Sequence, residues 1–364
     1  MPFSNDKGKI KMDRTFNRHG GLTIVPMPGF VSMAEAMKKE IERLGMDLNR
    51  YPTNVDITTP MFSLRPSNEP GVKQGKKHIG GHDCFILTSG PGTYEMLGQL
   101  NFAIAYLAGR KASRITIMSG YFPLGRSDKD EGDEFVMPPI LIDGWKAHAH
   151  GKLDRIICVD PHSDQITGMG HTGLVTPIMM TRRILRRVLK DALAVQEKIC
   201  LAFPDGTARK RYGKVVKEME LEFGRHIPIV TVDADRLNAV EKNIEGMTGD
   251  LEALRDALVI APDDETATGG TQINAAREYR TKLGAFDVWA AVTHGVLCGN
   301  AVSLFSDPNC PISRLYITDT IPVHNRPTLQ PLIESEFLRV ISLTNDLARV
   351  FYHAHWDENV RDIR

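Results

Sequence analysis

Residues 259–271 read VIAPDDETATGGT and place two adjacent carboxylates, Asp263 and Asp264, at the end of an apolar run. A turn rich in threonine and glycine follows at once. Where such a turn opens a helix, its backbone N–H groups and hydroxyls converge on one point and attract a phosphate. Carboxylates repel phosphate, but they bind the hydroxyls of a sugar or a Mg²⁺ that bridges to phosphate oxygens. The segment therefore predicts a ribose 5-phosphate site formed by Asp263, Asp264, Thr266, Thr268, Gly269, Gly270 and Thr271.

A helix N-cap after a strand is the simpler interpretation of this segment. It explains Thr268 but not two consecutive acids. Other apolar runs also end in aspartate, as at Asp160 and Asp205. Ligands bind outside the carboxyl ends of strands in open α/β sheets, so these acids together indicate a metal-binding or hydroxyl-binding rim. For any single aspartate, capping of the following helix remains open.

The rest of the chain alternates short apolar runs with helix-length amphipathic segments. The runs predicted as strands are LTIVPM, HDCFILTS, RITIMSG, RIICVD, ICLAFPD, PIVTVD, ALVIAPDD, DVWAAVTHG and RLYITDT. Helices are predicted through MAEAMKKEIERLG and EMLGQLNFAIAYLAGR. Strands separated by helix-length segments require parallel crossovers, so we expect an α/β fold with mostly parallel sheets covered by helices on both faces.

Composition excludes several classes of function. The 364 residues carry 45 Lys and Arg against 45 Asp and Glu, so no net field attracts nucleic acid. No apolar stretch is long enough to predict a membrane span. The 5 cysteines form no CxxC pair and are typical of reduced thiols in a cytoplasmic protein.

Further segments carry a resemblance to one family. The segments YFPLGRSDK (121–129), VDPHSDQITG (159–168), FPDGTARKRYGK (203–214), THGVLCG and TDTIP occur in this order, together with the acid-rich loop. The chain thereby resembles the ribose-phosphate pyrophosphokinase (phosphoribosyl-diphosphate synthetase) family over about residues 22–345. The resemblance implies two phosphoribosyltransferase-like (type I) domains after an N-terminal extension at residues 1–21. Glycines cluster in QITGMGHTG between periodic segments, which places the boundary there and gives domains at residues 22–168 and 169–364.

The resemblance also implies roles for individual residues. ATP is expected at Phe62, Arg126, Ser127, Asp128 and His162; Mg²⁺ at His162 and Asp205; and catalytic cations at Arg236, Lys210 and Arg211. The implied reaction is attack of the anomeric hydroxyl of a phosphorylated ribose on the β-phosphorus of Mg-ATP. A homo-oligomer, either a dimer or a hexamer, is expected because active sites of the family are completed by neighbouring subunits.

Two segments depart from the family pattern. Ala234 and Asp235 stand where the family has a catalytic lysine and arginine, and only Arg236 remains. Leu64 and Pro66 replace acids near the expected adenine pocket. An anion in place of a cation beside a polyphosphate weakens transition-state stabilisation unless another group, such as Lys210 or Lys214, substitutes.

Three interpretations follow from these departures. The first is a divergent enzyme that acts on ribose 5-phosphate. The second is the same chemistry on another acceptor, such as ADP-ribose in NAD⁺ metabolism. The third is a noncatalytic regulatory paralogue, which the retained acids and His162 argue against.

Overall fold

The computed structural model describes residues 17–48, 50, 53–75, 78–130, 132–204, 206–232 and 247–361. Two mostly parallel sheets organise this part of the chain, and helices cover their faces. The expected mostly parallel α/β architecture is therefore confirmed.

The first sheet is built from the N-terminal half. Its strands are β1 (Leu22–Pro26), β2 (Val55–Ile57), β5 (Asp83–Thr88), β6 (Arg114–Ser119), β7 (Leu153–Val159) and β8 (Val175–Ile178). They pair in parallel in the order β2-β1-β5-β6-β7-β8. Strands β1, β5 and β6 are buried along their whole length, as expected for largely apolar strands inside a parallel sheet. A separate antiparallel hairpin joins β3 (Pro60–Leu64) to β4 (Pro70–Gln74).

The second sheet is built from the C-terminal half. Its strands are β9 (Ile199–Phe203), β10 (Ile229–Val232), β11 (Met247–Gly249), β12 (Leu258–Thr266), β13 (Asp287–Gly295), β14 (Arg314–Thr318) and β15 (Leu338–Ile341). Their order is β11-β10-β9-β12-β13-β14-β15, and every pairing except β10 with β11 is parallel.

Helices connect the strands and bury one face each. They are α1 (Val31–Asp47), α2 (Tyr94–Gly109), α3 (Pro138–Ala149), α4 (Thr181–Leu193), α5 (Gly206–Phe223), α6 (Gly270–Thr281), α7 (Ala301–Phe305), α8 (Gln330–Glu334) and α9 (Thr344–His355). Short 3₁₀ turns span Asp164–Gly168, Leu251–Leu254 and Pro327–Leu329. In α1 the buried residues Ala34, Met37, Ile41 and Gly45 recur every three or four positions, which is the spacing of a helix with one buried face. Within the described ranges, no helix is both long and apolar enough to cross a membrane.

The sheets divide the chain later than the expected boundary between residues 168 and 169. The glycine-rich segment that suggested this boundary forms the Asp164–Gly168 turn and leads into β8, which pairs with β7 in the first sheet. The C-terminal helix α9 also returns to the first half. Its Phe351 stacks on Phe85 of β5 at 4.6 Å between ring centroids, within one apolar core.

The two halves meet at the carboxyl ends of their strands. A Cβ on Gly120, which follows β6, would lie 2.3 Å from the carbonyl oxygen of Thr320, which follows β14. Only glycine permits so close an approach. The loop after β6, which leads to the predicted site residue Arg126, therefore packs directly against the loop after β14 of the other half.

Candidate active site

A cavity of about 370 Å³ lies where the carboxyl ends of β6, β7, β9 and β12 come together. Its lining comprises Arg126, His162, Pro204, Asp263, Asp264, Glu265, Thr266, Ala267, Thr268, Gly269, Gly270, Thr271 and Gln272. Both halves of the chain thus contribute side chains to one concave site, as expected for ligand binding in open α/β folds.

The strand β12 continues further than the sequence predicted. The acids and Thr266 were expected at a strand end and in a turn, but parallel pairing with β13 extends to Thr266, opposite Gly295. The turn itself is therefore only residues 267–269. Gly269 is the N-cap of the following helix α6 and has φ +80°, and a Cβ there would lie 2.4 Å from Cζ of Phe305.

The start of α6 faces the cavity as a group of hydrogen-bond donors. The first N–H groups of a helix lack helical partners, and the N-terminal end carries a partial positive charge. Gly270, Thr271 and Gln272 line the cavity at this end. Among the described residues, Thr266 Oγ1 has no hydrogen-bond partner although it is buried. These groups together suit an anionic ligand such as a phosphate.

His162 and Asp264 form an ion pair that joins the two halves at the cavity. His162 Nδ1 lies 2.7 Å from Asp264 Oδ2. This hydrogen bond raises the pKa of His162 above its usual value, and burial opposes the rise. Burial disfavours the charged form of Asp264, but the hydrogen bond and charge of His162, together with Asp263 and Arg211, outweigh burial and bring the pKa of Asp264 well below the usual range. Asp264 is therefore charged at neutral pH.

Two residues of α5 support this pair and the neighbouring Asp263. Arg211 donates from Nη2 to the carbonyl oxygen of His162 at 2.9 Å, and its Nη1 lies 3.9 Å from Asp264 Oδ2. Tyr212 donates its hydroxyl to the carbonyl oxygen of Asp263 at 2.8 Å. Helix α5 thereby fixes the position of Asp263 and Asp264 in the cavity.

Glu265 is a third acid of the site, and sequence reasoning missed it. Its side chain is buried, and Oε1 lies 3.4 Å from Nη1 of Arg126. The predicted site residue Arg126 thus pairs with a carboxylate of the opposite half. The signal was present in the sequence, because Glu265 directly follows the two aspartates.

A second polar layer lies beneath the cavity. The carboxylate of Asp160 accepts hydrogen bonds from the Met180 amide at 2.9 Å and from the Thr293 hydroxyl at 2.6 Å. Complete burial raises the pKa of Asp160 to about 6 despite these bonds. The neighbouring His294 contacts the carbonyl oxygens of Val159 and Asp160 at 3.1 Å each, and burial lowers its pKa to about 4. These bonds cross between the halves and hold β7 against β13.

The predicted site residues have three different outcomes. The cavity brings together Arg126, His162, Asp263, Asp264, Thr266, Thr268, Gly269, Gly270 and Thr271. Phe62, Ser127, Asp128 and Lys210 lie outside the residues that line it, whereas Arg211 reaches it from α5. Arg236 and Asp205 fall outside the described residues.

The expected Mg²⁺ can be tested against the donor groups at hand. His162, Asp264 and Glu265 each offer one ligand atom, and these atoms lie within 4.8 Å of one another. Mg²⁺ is usually bound by one or two carboxylates together with phosphate oxygens and water. The two carboxylates satisfy that requirement, so these residues fit the ion.

Comparison with known proteins agrees with this geometry. No protein-family model matches the chain. Ribose-phosphate pyrophosphokinase 2 of Schizosaccharomyces pombe is 26% identical over 330 residues, which cover 90% of this chain and 94% of that protein. Ribose-phosphate pyrophosphokinase of Bradyrhizobium diazoefficiens is 29% identical over 273 residues, which cover 74% of this chain and 80% of that protein.

Both relatives are ribose-phosphate pyrophosphokinases, and their similarity to this chain extends over most of its length.

A solved structure shares the fold of this chain. Phosphoribosylpyrophosphate synthetase from Mycobacterium smegmatis superposes with a TM-score of 0.70 at 24% identity, covering 93% of this chain and 99% of that one. The predicted family and the fold built from two phosphoribosyltransferase-like domains are therefore confirmed.

Proposed function

We propose that this chain transfers the β,γ-diphosphoryl group of Mg-ATP to the anomeric hydroxyl of ribose 5-phosphate, which yields phosphoribosyl diphosphate and AMP. One observation carries the proposal: the acid pair Asp263 and Asp264, with the turn that follows it, shares a cavity with Arg126 and His162 of the other half. A sugar phosphate on one side and a polyphosphate on the other then meet between the two sheets.

The sugar is held at the β12–α6 side. The 5-phosphate lies at the start of α6, where the backbone N–H groups and the Thr268 and Thr271 hydroxyls line the cavity. Asp263 and Asp264 accept hydrogen bonds from the ribose hydroxyls. Like charges keep the phosphate away from the acids, so the same segment orients the anomeric carbon away from the helix.

The nucleotide is held at the side formed by the first half. Arg126 provides planar donors for the polyphosphate, and His162 lies at the junction between the two ligands. Arg211 adds positive charge 3.9 Å from Asp264. When bound, Mg²⁺ neutralises part of the triphosphate charge, and Asp264, Glu265 and His162 would hold it.

Little covalent chemistry is required of the protein. The anomeric oxygen forms a bond to the β-phosphorus, the bond from that phosphorus to the oxygen bridging to the α-phosphorus breaks, and AMP leaves. Positioning and charge neutralisation account for most of the catalysis in such transfers. Assembly into a homo-oligomer and a cytoplasmic location remain predictions.

The acceptor is tested by chromatography of ATP incubated with Mg²⁺ and either ribose 5-phosphate or ADP-ribose. We expect AMP to accumulate with ribose 5-phosphate and not in its absence. AMP formed with ADP-ribose alone would assign the other acceptor. If no AMP forms with either acceptor, the result would contradict catalysis and favour the regulatory paralogue.

A further inference from the structure

A second cavity, separate from the one at the acid pair, lies where the two halves meet. Its volume is about 580 Å³, and its lining residues come from the start of α1, from α8 and from the ends of β14 and β15. A Cβ on Gly29, which precedes α1, would lie 2.9 Å from Cγ of Pro322, which follows β14, so the halves touch at its edge. Among the described residues, the two cavities share no lining residue. The proposed reaction therefore assigns no ligand to the second cavity.

Apolar side chains form most of the walls of the second cavity. Phe30, Val323 and Ile333 contribute from three different segments, and Val340 is 38% exposed on the edge strand β15. Met33 adds a flexible thioether, a side chain that adapts to ligands of different shape. Concave sites with apolar walls and a few convergent polar groups are typical of small-molecule binding.

Asp319, the residue after β14, brings a carboxylate to this cavity. Its Oδ1 accepts a hydrogen bond from the backbone N–H of Leu343 at 2.8 Å, and its Oδ2 accepts one from the Ser342 hydroxyl at 2.7 Å. Both donors are neutral. Burial raises the pKa of Asp319 above its usual value, although these bonds and the charge of His324 oppose the rise. Within the part of the chain that the structure describes, no cation forms an ion pair with this carboxylate.

The uncompensated carboxylate selects the charge of the ligand. A charge held in an apolar site is costly unless an opposite charge or hydrogen bonds offset it. An ionised carboxylate accepts about four hydrogen bonds, and Leu343 and Ser342 each supply one to Asp319. An amidinium or guanidinium group can donate two further, parallel N–H bonds to a carboxylate. A phosphate or a second carboxylate at the same place would be repelled.

We propose that the second cavity binds a small organic cation, namely an amidinium or guanidinium group on an apolar body, with Asp319 as its counter-ion. The apolar body packs against the walls, and the cationic group lies at the end of β14. Binding at this site requires no turnover at the first cavity, so it can be tested independently of the proposed diphosphoryl transfer.

Binding of benzamidine to the full chain tests the proposal, because this probe combines an amidinium with a phenyl ring. Isothermal titration calorimetry compares the unaltered protein with Asp319→Asn, which keeps the shape of the side chain and removes its charge. We expect Kd to rise at least about tenfold in the variant, since charge-assisted hydrogen bonds are about twice as strong as neutral ones. The neutral isostere benzamide should bind the unaltered protein at least about tenfold more weakly than benzamidine for the same reason.

Two variants control for the position of the bound probe. Asp307→Asn alters an exposed aspartate that also accepts a backbone N–H, from Asn309 at 2.8 Å, and its affinity for benzamidine should not change. Asp264→Asn removes an acid of the first cavity and should likewise leave the affinity unchanged. Loss of binding in Asp264→Asn would place benzamidine in the first cavity and overturn the proposal.

The remaining outcomes decide the role of Asp319. Unchanged affinity in Asp319→Asn, or benzamide bound as tightly as benzamidine, would overturn the proposal and leave the proposed function intact. Should Asp319→Asn not fold, Ala36→Phe replaces it, because it adds a ring to the lining of the second cavity and leaves the hydrogen bonds of Asp319 in place. Loss of benzamidine binding in Ala36→Phe supports the proposal, whereas unaltered binding contradicts it.

Discussion

Two clusters of charged side chains lie at opposite ends of the parallel strands. At the amino end of the first sheet, Arg114 donates to Asp83 at 3.0 Å from Nε, to Asp357 at 2.6 Å and to the Ala354 carbonyl at 3.0 Å. His355 completes this cluster at 2.9 Å from Asp83. At the carboxyl end, Asp264 and Glu265 line an open cavity, and one oxygen of Glu265 has no partner among the described residues.

This difference between the two clusters indicates that the first stabilises the fold and the second binds a ligand. In the first cluster every nitrogen of the Arg114 guanidinium has an acceptor, and the bonds fasten the end of α9 to β5 and β6. Hydrogen bonds from His19 and Arg114 outweigh burial and bring the pKa of Asp357 to about 2. In the second cluster the charges are only partly compensated, so a ligand can complete them. Burial of a charge does not by itself distinguish the two roles. The Glu265 oxygen without a hydrogen-bond partner among the described residues does, because it indicates binding.

Removal of Arg114 should give the largest effect on stability. Arg114→Met leaves the buried Asp83 with only His355 beside it, and breaking a buried pair in this way costs about 3–5 kcal/mol of the free energy of unfolding. Urea unfolding measures the loss. Arg43→Met on the surface of α1 is the control and should unfold like the unaltered protein. An Arg114→Met variant that unfolds at the same urea concentration would show that this cluster is not structural.

Removal of a charge from the cavity should instead reduce activity. Asp264→Asn keeps the shape of the side chain but loses the charge that His162 and a ligand both use. We expect diphosphoryl transfer to fall roughly 10²–10³-fold, as when one preorganised electrostatic group is lost, with urea unfolding nearly unchanged. If activity fell only in proportion to the folded fraction, Asp264 would have the same structural role as the first cluster, and the distinction between the two clusters would be wrong.

His294 tests whether a group can lie near the cavity and yet be structural. Burial lowers its folded pKa to about 4, whereas an unfolded histidine titrates near 6.5. The unfolded chain therefore binds more protons between these values, and stability falls as pH decreases through the window, by up to about 3 kcal/mol. His294→Gln should flatten the difference in unfolding free energy between pH 7 and pH 4.5. The same slope in the variant would assign the pH dependence to other groups.

Gly269 gives the smallest of the expected effects. Its φ of +80° disfavours any side chain, and a Cβ at this position would meet the Phe305 ring at 2.4 Å. Gly269→Ala should cost about 1–2 kcal/mol for the left-handed conformation and weaken the affinity for ribose 5-phosphate. Gly270→Ala is the control for stability, because its Cβ would meet nothing nearer than 3.9 Å. Equal melting temperatures for the two variants would contradict this account of the turn.

The sequence predicted the long buried strands closely because their apolar runs are uninterrupted. RIICVD and DVWAAVTHG, for example, correspond to β7 and β13. The hairpin β3–β4 and the strand β8 were missed, since both are short and mix polar with apolar residues. The continuation of β12 to Thr266 was missed because it depends on the partner β13, not on the composition of β12.

The members of the site were predicted better than their connections. The acid pair and the glycine turn lie within nine consecutive residues (263–271), so their local sequence pattern is enough to predict them. The contact between His162 and Asp264 spans 102 positions and depends on how the two sheets meet. The pairing of Arg126 with Glu265 also crosses the halves, so no local pattern in the sequence predicts it.

Phosphorus NMR of the products formed from ATP and ribose 5-phosphate tests the central claim most directly. We expect AMP and a sugar carrying a diphosphate on C1 in equal amounts, and roughly 10²–10³-fold slower formation of both products with the Asp264→Asn variant. Formation of ADP, or ATP left unchanged in the presence of Mg²⁺ and ribose 5-phosphate, would contradict it.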